Sequence, residues 1–238
     1  MLPYRIDLAG GWLDQPFISK LARGPVIVAS IEPDPKFRTR CGLATSTRAR
    51  AADIWGADLP AEDPGKLARI LFDYENPPGT KQFSGSQDAL GICLPGVHRL
   101  DYAGDYWPEK ITAAPPAAAT WIEQHLSLIP LSPRPETYDP GAGSFKGKIA
   151  AERLSTTAIR CWNSLTNLDL KEFGFWMKEA FHAQLKMFPA MNTPEIAAAT
   201  ASRSDLMGWK LSGAGGGGYL IVVSERIPAG NIRIKIRR

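Results

Sequence analysis

The sequence predicts an α+β fold arranged in two lobes, and three observations carry that prediction. Short β-favouring runs and helical stretches are interspersed with no regular strand–helix–strand repeat. Two long amphipathic helical patterns stand side by side, 148–168 and 169–188. Near the C-terminus, residues 213–218 hold five glycines in six positions, and the chain turns abruptly apolar from Tyr219 to Val223. That apolar run is short and β-favouring, so the glycines lead into a strand. Dinucleotide-binding folds and Walker loops place a helix after their glycines, and both are disfavoured here.

The elements follow in order. Between Pro3 and Ala9, Ile6 and Leu8 alternate with Arg5 and Asp7, a strand that ends at Gly10 and Gly11. Val26 to Ile31 is a second strand, entered from Gly24-Pro25 and closed by Pro33 and Pro35. Gly42 to Thr47 is small and hydroxyl-rich, and 48–55 then reads as a helix up to Gly56. Asp63 is a good N-cap with Pro64 in the first turn, and the helix it opens puts Leu67, Ile70, Leu71 and Tyr74 on one face. Residues 76–79 (NPPG) break that helix, and a polar loop leads to 84–88 (SGSQD) and the apolar 89–94. The proline-containing stretch 113–119 is the best linker, which sets lobes of 1–115 and 116–238, with 125–131 opening the second. After the two long helices comes a shorter one capped at Thr193-Pro194, then the glycine run and a basic strand, and no internal repeat is present.

Composition narrows the classes. A chain of 238 residues with 44% hydrophobic and 22% charged residues is ordinary for a globular protein with a real core. The net charge of +4 is matched by Arg233, Lys235, Arg237 and Arg238 alone. These cations alternate with Ile232, Ile234 and Ile236, the pattern of a half-buried strand with a solvated face. A nucleic-acid surface is not expected, because no aromatic platform or wider basic area accompanies them. Cys41, Cys93 and Cys161 are odd in number, far apart and without a CxxC pair, so neither a disulfide framework nor a zinc site is expected. No stretch has transmembrane length and no secretory apolar region is present, so a cytoplasmic protein without membrane contact is expected.

Four segments carry chemistry. A run nearly devoid of side chains, as at 213–218, lets backbone N–H groups approach an anion closely, although the same residues also suit a hairpin connection. Gly42 to Thr47 runs into a helix, whose N-terminus favours anions, and Thr45, Ser46 and Thr47 add hydroxyls for phosphate oxygens or a cation; simple helix capping is the alternative. Asp88, in a Ser/Gly loop, is either a turn residue or a carboxylate able to orient a hydroxyl and accept its proton. Arg5 is a permanent cation suited to phosphoryl charge, and Asp14 is an acceptor for a polyol.

Taken together and in this order, the four segments resemble the GHMP kinase superfamily, named for galactokinase, homoserine kinase, mevalonate kinase and phosphomevalonate kinase. The resemblance spans Pro3 to Val223, with 3–14 as the first motif, 42–47 as the second and 210–218 (KLSGAGGGG) as the nearly letter-for-letter third. The Gln87-Asp88 segment is similar to the sugar-kinase branch, and 5–14 (RIDLAGGWLD) to its fucokinase and heptose-phosphate kinase members. The resemblance implies a two-lobed fold, with a ribosomal-protein-like α/β first lobe and a ferredoxin-like second lobe. The implied reaction is transfer of the γ-phosphoryl group of ATP, with Mg²⁺, to a hydroxyl of a sugar or sugar phosphate. Asp88 would be the catalytic carboxylate, with Arg5 beside it, and Gly11, Trp12, Asp14, Gly213 and Gly215 would face the substrate. Gly42, Leu43, Ala44, Thr45, Ser46, Thr47, Ala214 and Gly216 would hold the nucleotide, and Ser46 and Glu75 the metal.

Three departures matter. Gly11-Trp12 stands where galactokinases have a Glu-His pair, so galactose itself is disfavoured; Trp12 offers a ring face for a sugar or a core anchor. Ala44-Thr45 replaces the usual Gly-Ser, and Arg48 and Arg50 follow, either as solvated helix residues or as holders of an extra phosphate. Only ten residues separate Ile31 from Gly42, where the family inserts strands and a helix that contribute to the nucleoside pocket. That shortening keeps a non-catalytic sugar- or nucleotide-binding regulator as the alternative. A decarboxylase acting on isoprenoid diphosphates is disfavoured by Gln87-Asp88. The three histidines match no implied site, and the oligomeric state, monomer or homodimer, is left open.

Overall fold

The computed structural model describes residues 1–37, 42–81, 83–139, 141, 147–201 and 203–238. Two antiparallel four-stranded sheets organise them. The first is ordered β1 (Tyr4–Ala9), β2 (Gly24–Ile31), β3 (Val97–Tyr102), β4 (Lys110–Ala113). The second runs β6 (Leu206–Leu211), β7 (Tyr219–Ser224), β5 (Leu126–Pro130), β8 (Ile232–Arg233). Strand β2 is buried along its whole length, as its near-continuous aliphatic sequence requires. The sheets, with the helices described below, give the α+β class the sequence predicts.

Helices α1 (Pro16–Ser19), α2 (Thr45–Trp55), α3 (Pro64–Glu75) and α4 (Gln87–Cys93) lie between the strands of the first sheet in sequence. Helices α5 (Pro116–His125), α6 (Gly147–Thr166), α7 (Leu170–Met187) and α8 (Pro194–Thr200) follow, with a 3₁₀ turn at Pro189–Met191. Helix α2 starts three residues earlier than expected, because Ala44 takes a left-handed conformation (φ 56°) that turns the chain directly into Thr45. Asp63 caps α3 as predicted, its carboxylate accepting from Lys66 N. The buried stripe of α3 is Leu67, Ala68, Leu71 and Phe72, while Ile70 and Tyr74 are exposed; the helix is rotated by about one residue from the expected face. The proposed linker at 113–119 is largely structured. Strand β4 ends at Ala113, and α5 begins at Pro116 and buries Ala118 and Ala119. Asp169 caps α7 through Glu172 N, whereas Thr193 makes no side-chain cap bond.

The apolar core forms two clusters, and each takes residues from both sheets. One joins Val26 and Val28 to Leu220 and Val222, and the other joins Ile6, Leu8 and Ile27 to Ile221 and Val223. This follows from strand alternation, which sends successive residues of β2 and β7 to opposite faces. The chain's last residues tie the sheets together: past β8, Ile236 bridges to Ile31 and Arg237 N donates to Ser30 O at 2.9 Å. Ile232, Ile234 and Ile236 are buried, and Arg233 and Lys235 are exposed, as the alternation predicts. Arg237 departs from that pattern. It is half-buried and donates to Ser30 Oγ and to the carbonyls of Ile92 and Cys93 at the end of α4. Among the described residues, no helix is long and apolar enough to cross a membrane.

Candidate active site

Strand β1 brings two charged side chains to one face of the first sheet, with Ile6 and Leu8 on the other. Arg5 and Asp7 are both buried, which is costly for charged groups without partners. Partners are present. Arg5 Nη2 pairs with Asp88 Oδ1 in the first turn of α4, and Arg5 Nη1 lies 3.3 Å from Asp7 Oδ1. The Arg5 side chain reaches Asp88 by crossing α4 at Gly91, where an added Cβ would lie 2.1 Å from Arg5 Cγ. Burial pulls the Arg5 pKa down, opposed by Asp7 and Asp14. Arg5 Nε and Nη1 make no hydrogen bond among the described residues.

After β1 the chain turns at Gly10–Leu13, where Leu13 N donates to Gly10 O at 3.0 Å. Trp12 takes φ 83° and stacks on Phe188 with ring centroids 4.2 Å apart, so one of its faces is covered. Asp14 is buried and accepts from Gln87 Nε2 at 2.9 Å. Burial dominates its titration and raises its pKa to about 6, although Arg5 and Gln87 oppose the shift. Gly85 backs directly onto this carboxylate, and a Cβ there would lie 1.7 Å from Asp14 Oδ2.

The two glycine-containing loops meet. Gly42 (φ 103°) and Gly213 (φ 68°) are left-handed, and a Cβ on Gly213 would sit 2.9 Å from Gly42 Cα. Side chains are excluded at both positions by contact as well as by conformation. Ser212 Oγ donates to Gly42 O, so the N-terminus of α2 and the turn after β6 form one unit.

These pieces enclose a cavity of about 360 Å³. Arg5, Gly11, Trp12, Asp14, Gly42, Ala44, Thr45, Ser46, Asp88, Gly213 and Ala214 line it, residues separated by more than 200 positions in the chain. Five residues singled out from the sequence lie elsewhere. Leu43 is in the core and accepts from Arg5 N through its carbonyl at 3.4 Å. Thr47 is buried, its hydroxyl donating to Glu75 Oε1 at 2.8 Å, so both stand behind the loop rather than on the cavity wall. Burial raises the pKa of Glu75. Gly215 and Gly216 lie under the Tyr138 ring, because Tyr138 OH donates to Ala214 O and Arg134 Nε to Gly215 O. Among the described residues, no three His, Cys, Asp or Glu side chains cluster as a metal-binding group.

Sequence reasoning missed Asp7, Gln15, Ser84, Gly85 and Arg134 as cavity residues. Asp7 was legible in principle, since a strand that faces Arg5 inward also faces its i+2 neighbour inward. Arg134 was not, because it lies in irregular chain between β5 and α6. Arg48 and Arg50 do not line the cavity. Arg48 stacks over Tyr4 at 4.3 Å and donates to Leu2 O at 3.1 Å, while Arg50 is exposed. Cys41, immediately before the predicted second motif, lies outside the described residues.

Comparison with known proteins agrees with this architecture. No protein-family model and no curated protein matches the chain. Solved structures do. A D-glycero-D-manno-heptose 1-phosphate kinase from Bacteroides thetaiotaomicron superposes with a TM-score of 0.60 at 14% identity, over 99% of this chain and 95% of that one. A Lactococcus lactis galactokinase complexed with galactose gives 0.66 at 15%, over 94% and 84%. A Streptococcus pneumoniae phosphomevalonate kinase in complex with phosphomevalonate and AMPPNP gives 0.62 at 12%, over 95% and 92%. Through nearly its whole length, the chain has the fold of the GHMP kinases.

Proposed function

We propose that the protein transfers the γ-phosphoryl group of ATP to a hydroxyl of a sugar or sugar phosphate. One observation carries the reading: buried Arg5, paired with the half-buried Asp88, shares a single cavity with Asp14 and with the two joined glycine loops. The likeness of fold to sugar and mevalonate kinases supports the general class. The polar and carboxylate-rich wall supports a polyol acceptor.

The residues present fit a polyphosphate. Gly42 and Gly213 line the cavity with backbone alone, packed so closely that a Cβ on either would strike the facing loop, and Ala44 to Ser46 bring the N-terminus of α2 to the cavity. Arg5, ion-paired with Asp7 and Asp88, is a cation on the same wall. For Mg²⁺, the Ser46 hydroxyl fits as a ligand alongside phosphate oxygens. Glu75 does not reach the cavity and fits a role behind the loop, orienting Thr47. Bound Mg–ATP supplies the phosphoryl group and the counter-charge for its transfer.

The chain's own residues supply position and proton handling. Asp14, with Gln87 donating to it, accepts hydrogen bonds from acceptor hydroxyls and fixes the ring. Asp88 orients the attacking hydroxyl and accepts its proton, while Arg5 holds the carboxylate and faces the charge that develops on the transferring group. Trp12, backed by Phe188, closes one side of the cavity with an aromatic surface. No covalent enzyme intermediate is needed, since positioning and charge neutralisation suffice.

The test is ADP release across a panel of hexoses, heptoses and their phosphates with Mg²⁺–ATP. Acceptor-dependent release that is lost with Asp88 supports the kinase. Saturable saccharide binding with no release across the panel would instead establish a non-catalytic regulator.

A further inference from the structure

The lysine that opens the third motif is not free to touch a nucleotide. Lys210 is fully buried in β6, and its ammonium has three partners: Asp7 Oδ2 at 2.7 Å, Asp7 O at 3.0 Å and Leu211 O at 3.0 Å. An ammonium has three protons, so its donor capacity is filled within the chain. A phosphate-binding lysine presents at least one proton to its ligand and lies on the wall of the site. Lys210 does neither.

Its partner points to the reason. Asp7 Oδ2 takes the lysine, while Asp7 Oδ1 accepts from Gly213 N at 3.0 Å and faces Arg5 Nη1 at 3.3 Å. A single carboxylate thus contacts the guanidinium beside Asp88, the first glycine of the third motif, and a buried cation from the second sheet. Burial alone would raise the pKa of Asp7, but the charges of Lys210 and Arg5 outweigh it and hold it below the usual carboxylate range. Lys210, itself off the wall, is therefore the counter-ion that lets an ionised Asp7 stand on the cavity wall.

We propose that Asp7 and Lys210 are positioning residues: Asp7, kept charged by Lys210, sets the guanidinium of Arg5 and pins the turn at Gly213 to β1, so that two segments over 200 residues apart present one phosphate-facing surface. This deepens the kinase reading and rests on it for its catalytic consequence, but the tether itself can be tested without activity.

Removing either partner alone leaves a buried charge uncompensated and destabilises the fold strongly. The informative variants are charge-neutral pairs. In Asp7→Asn/Lys210→Met, an oxygen remains to accept from Gly213, but the charge facing Arg5 is gone. In Asp7→Leu/Lys210→Met, both are gone, and apolar replacement of a buried ion pair is commonly tolerated. Hydrogen exchange of 210–218 and steady-state kinetics are measured on wild type and both pairs. Exchange at Gly213 is expected to rise at least tenfold in the leucine pair and to remain near wild type in the asparagine pair. On a displacement of about 1 Å at the reacting groups, kcat is expected to fall on the order of 100-fold in the leucine pair, with a smaller fall in the asparagine pair and little change in acceptor KM. Wild-type exchange in a folded leucine pair, or equal kcat in the two pairs, overturns the proposal. Should the leucine pair not fold, wild-type kcat in the asparagine pair overturns it. A wild-type enzyme that shows no phosphotransfer removes the kinase reading, while the exchange result still decides the tether.

Discussion

Replacing Asp14 by asparagine removes a carboxylate that this fold buries beside only partial compensation. The side chain has Gln87 as a donor and Arg5 nearby, yet desolvation prevails and lifts its pKa from 3.8 to about 6. A shift of about two units corresponds to ~3 kcal/mol between the protonated and ionised forms. The sign follows from linkage. The native state holds this proton more tightly than the unfolded chain, so stability is highest below the unfolded pKa and declines as pH rises towards about 6. Above that, the whole penalty applies. The asparagine side chain has the same shape without the charge, so Asp14→Asn is expected to be more stable than wild type at pH 8 by up to ~3 kcal/mol. For a chain of this size that is a melting temperature higher by roughly 6–12 °C. The advantage should shrink towards zero between pH 6 and pH 4. Thermal unfolding of both proteins across pH 4 to 8 measures the difference directly. A difference that is absent at pH 8, or that does not vary with pH, refutes the argument. The same substitution should raise the acceptor KM at pH 8, and the wild-type acceptor KM should rise as pH falls through about 6, because the ionised form is the one that accepts two hydroxyls.

Three further outcomes follow from individual contacts. Asp88→Asn should lower kcat by about 10²–10⁴, the range for a lost general base, with nucleotide affinity nearly unchanged in equilibrium titration; undiminished turnover removes Asp88 from the mechanism. Gly85→Ala places a methyl 1.7 Å from Asp14 Oδ2 and must displace that carboxylate, so the acceptor KM should rise while ATP affinity holds. Gly42→Ala forces a side chain into a left-handed turn and against Ser212 O at 2.7 Å; separating the two loops should weaken binding of a fluorescent ATP analogue at least tenfold with acceptor binding unaffected.

Most of the fold was legible because its signals are local. Alternation along Tyr4–Ala9, the aliphatic run of β2, the cap at Asp63, and the change from glycine to β-branched residues at Tyr219 each depend on neighbours in sequence. What escaped depends on tertiary placement. The face that α3 buries is set by how it meets α4, so Phe72 replaced Tyr74 in the core. Proline residues at 115 and 116 look like a linker, but Pro116 occupies the first turn of α5, where its missing N–H is harmless. In the site, the loops and the Arg5 and Asp88 side chains were recognisable by chemistry. The contacts that organise them were not: Lys210 with Asp7, Glu75 with Thr47 and Tyr138 with the glycines each join residues at least 28 positions apart. Glu75 shows the consequence, since its acidic character was plain while its engagement by the Thr47 hydroxyl, off the cavity wall, was not.

Crystals grown with Mg²⁺ and a non-hydrolysable ATP analogue, then soaked with a saccharide that supports ADP release, confront the central idea directly. The account predicts the triphosphate lying against Ala44–Ser46 and Gly213–Ala214, with one saccharide hydroxyl on Asp88 and others on Asp14. A nucleotide bound away from these two loops, or a saccharide whose hydroxyls avoid both carboxylates, would contradict it.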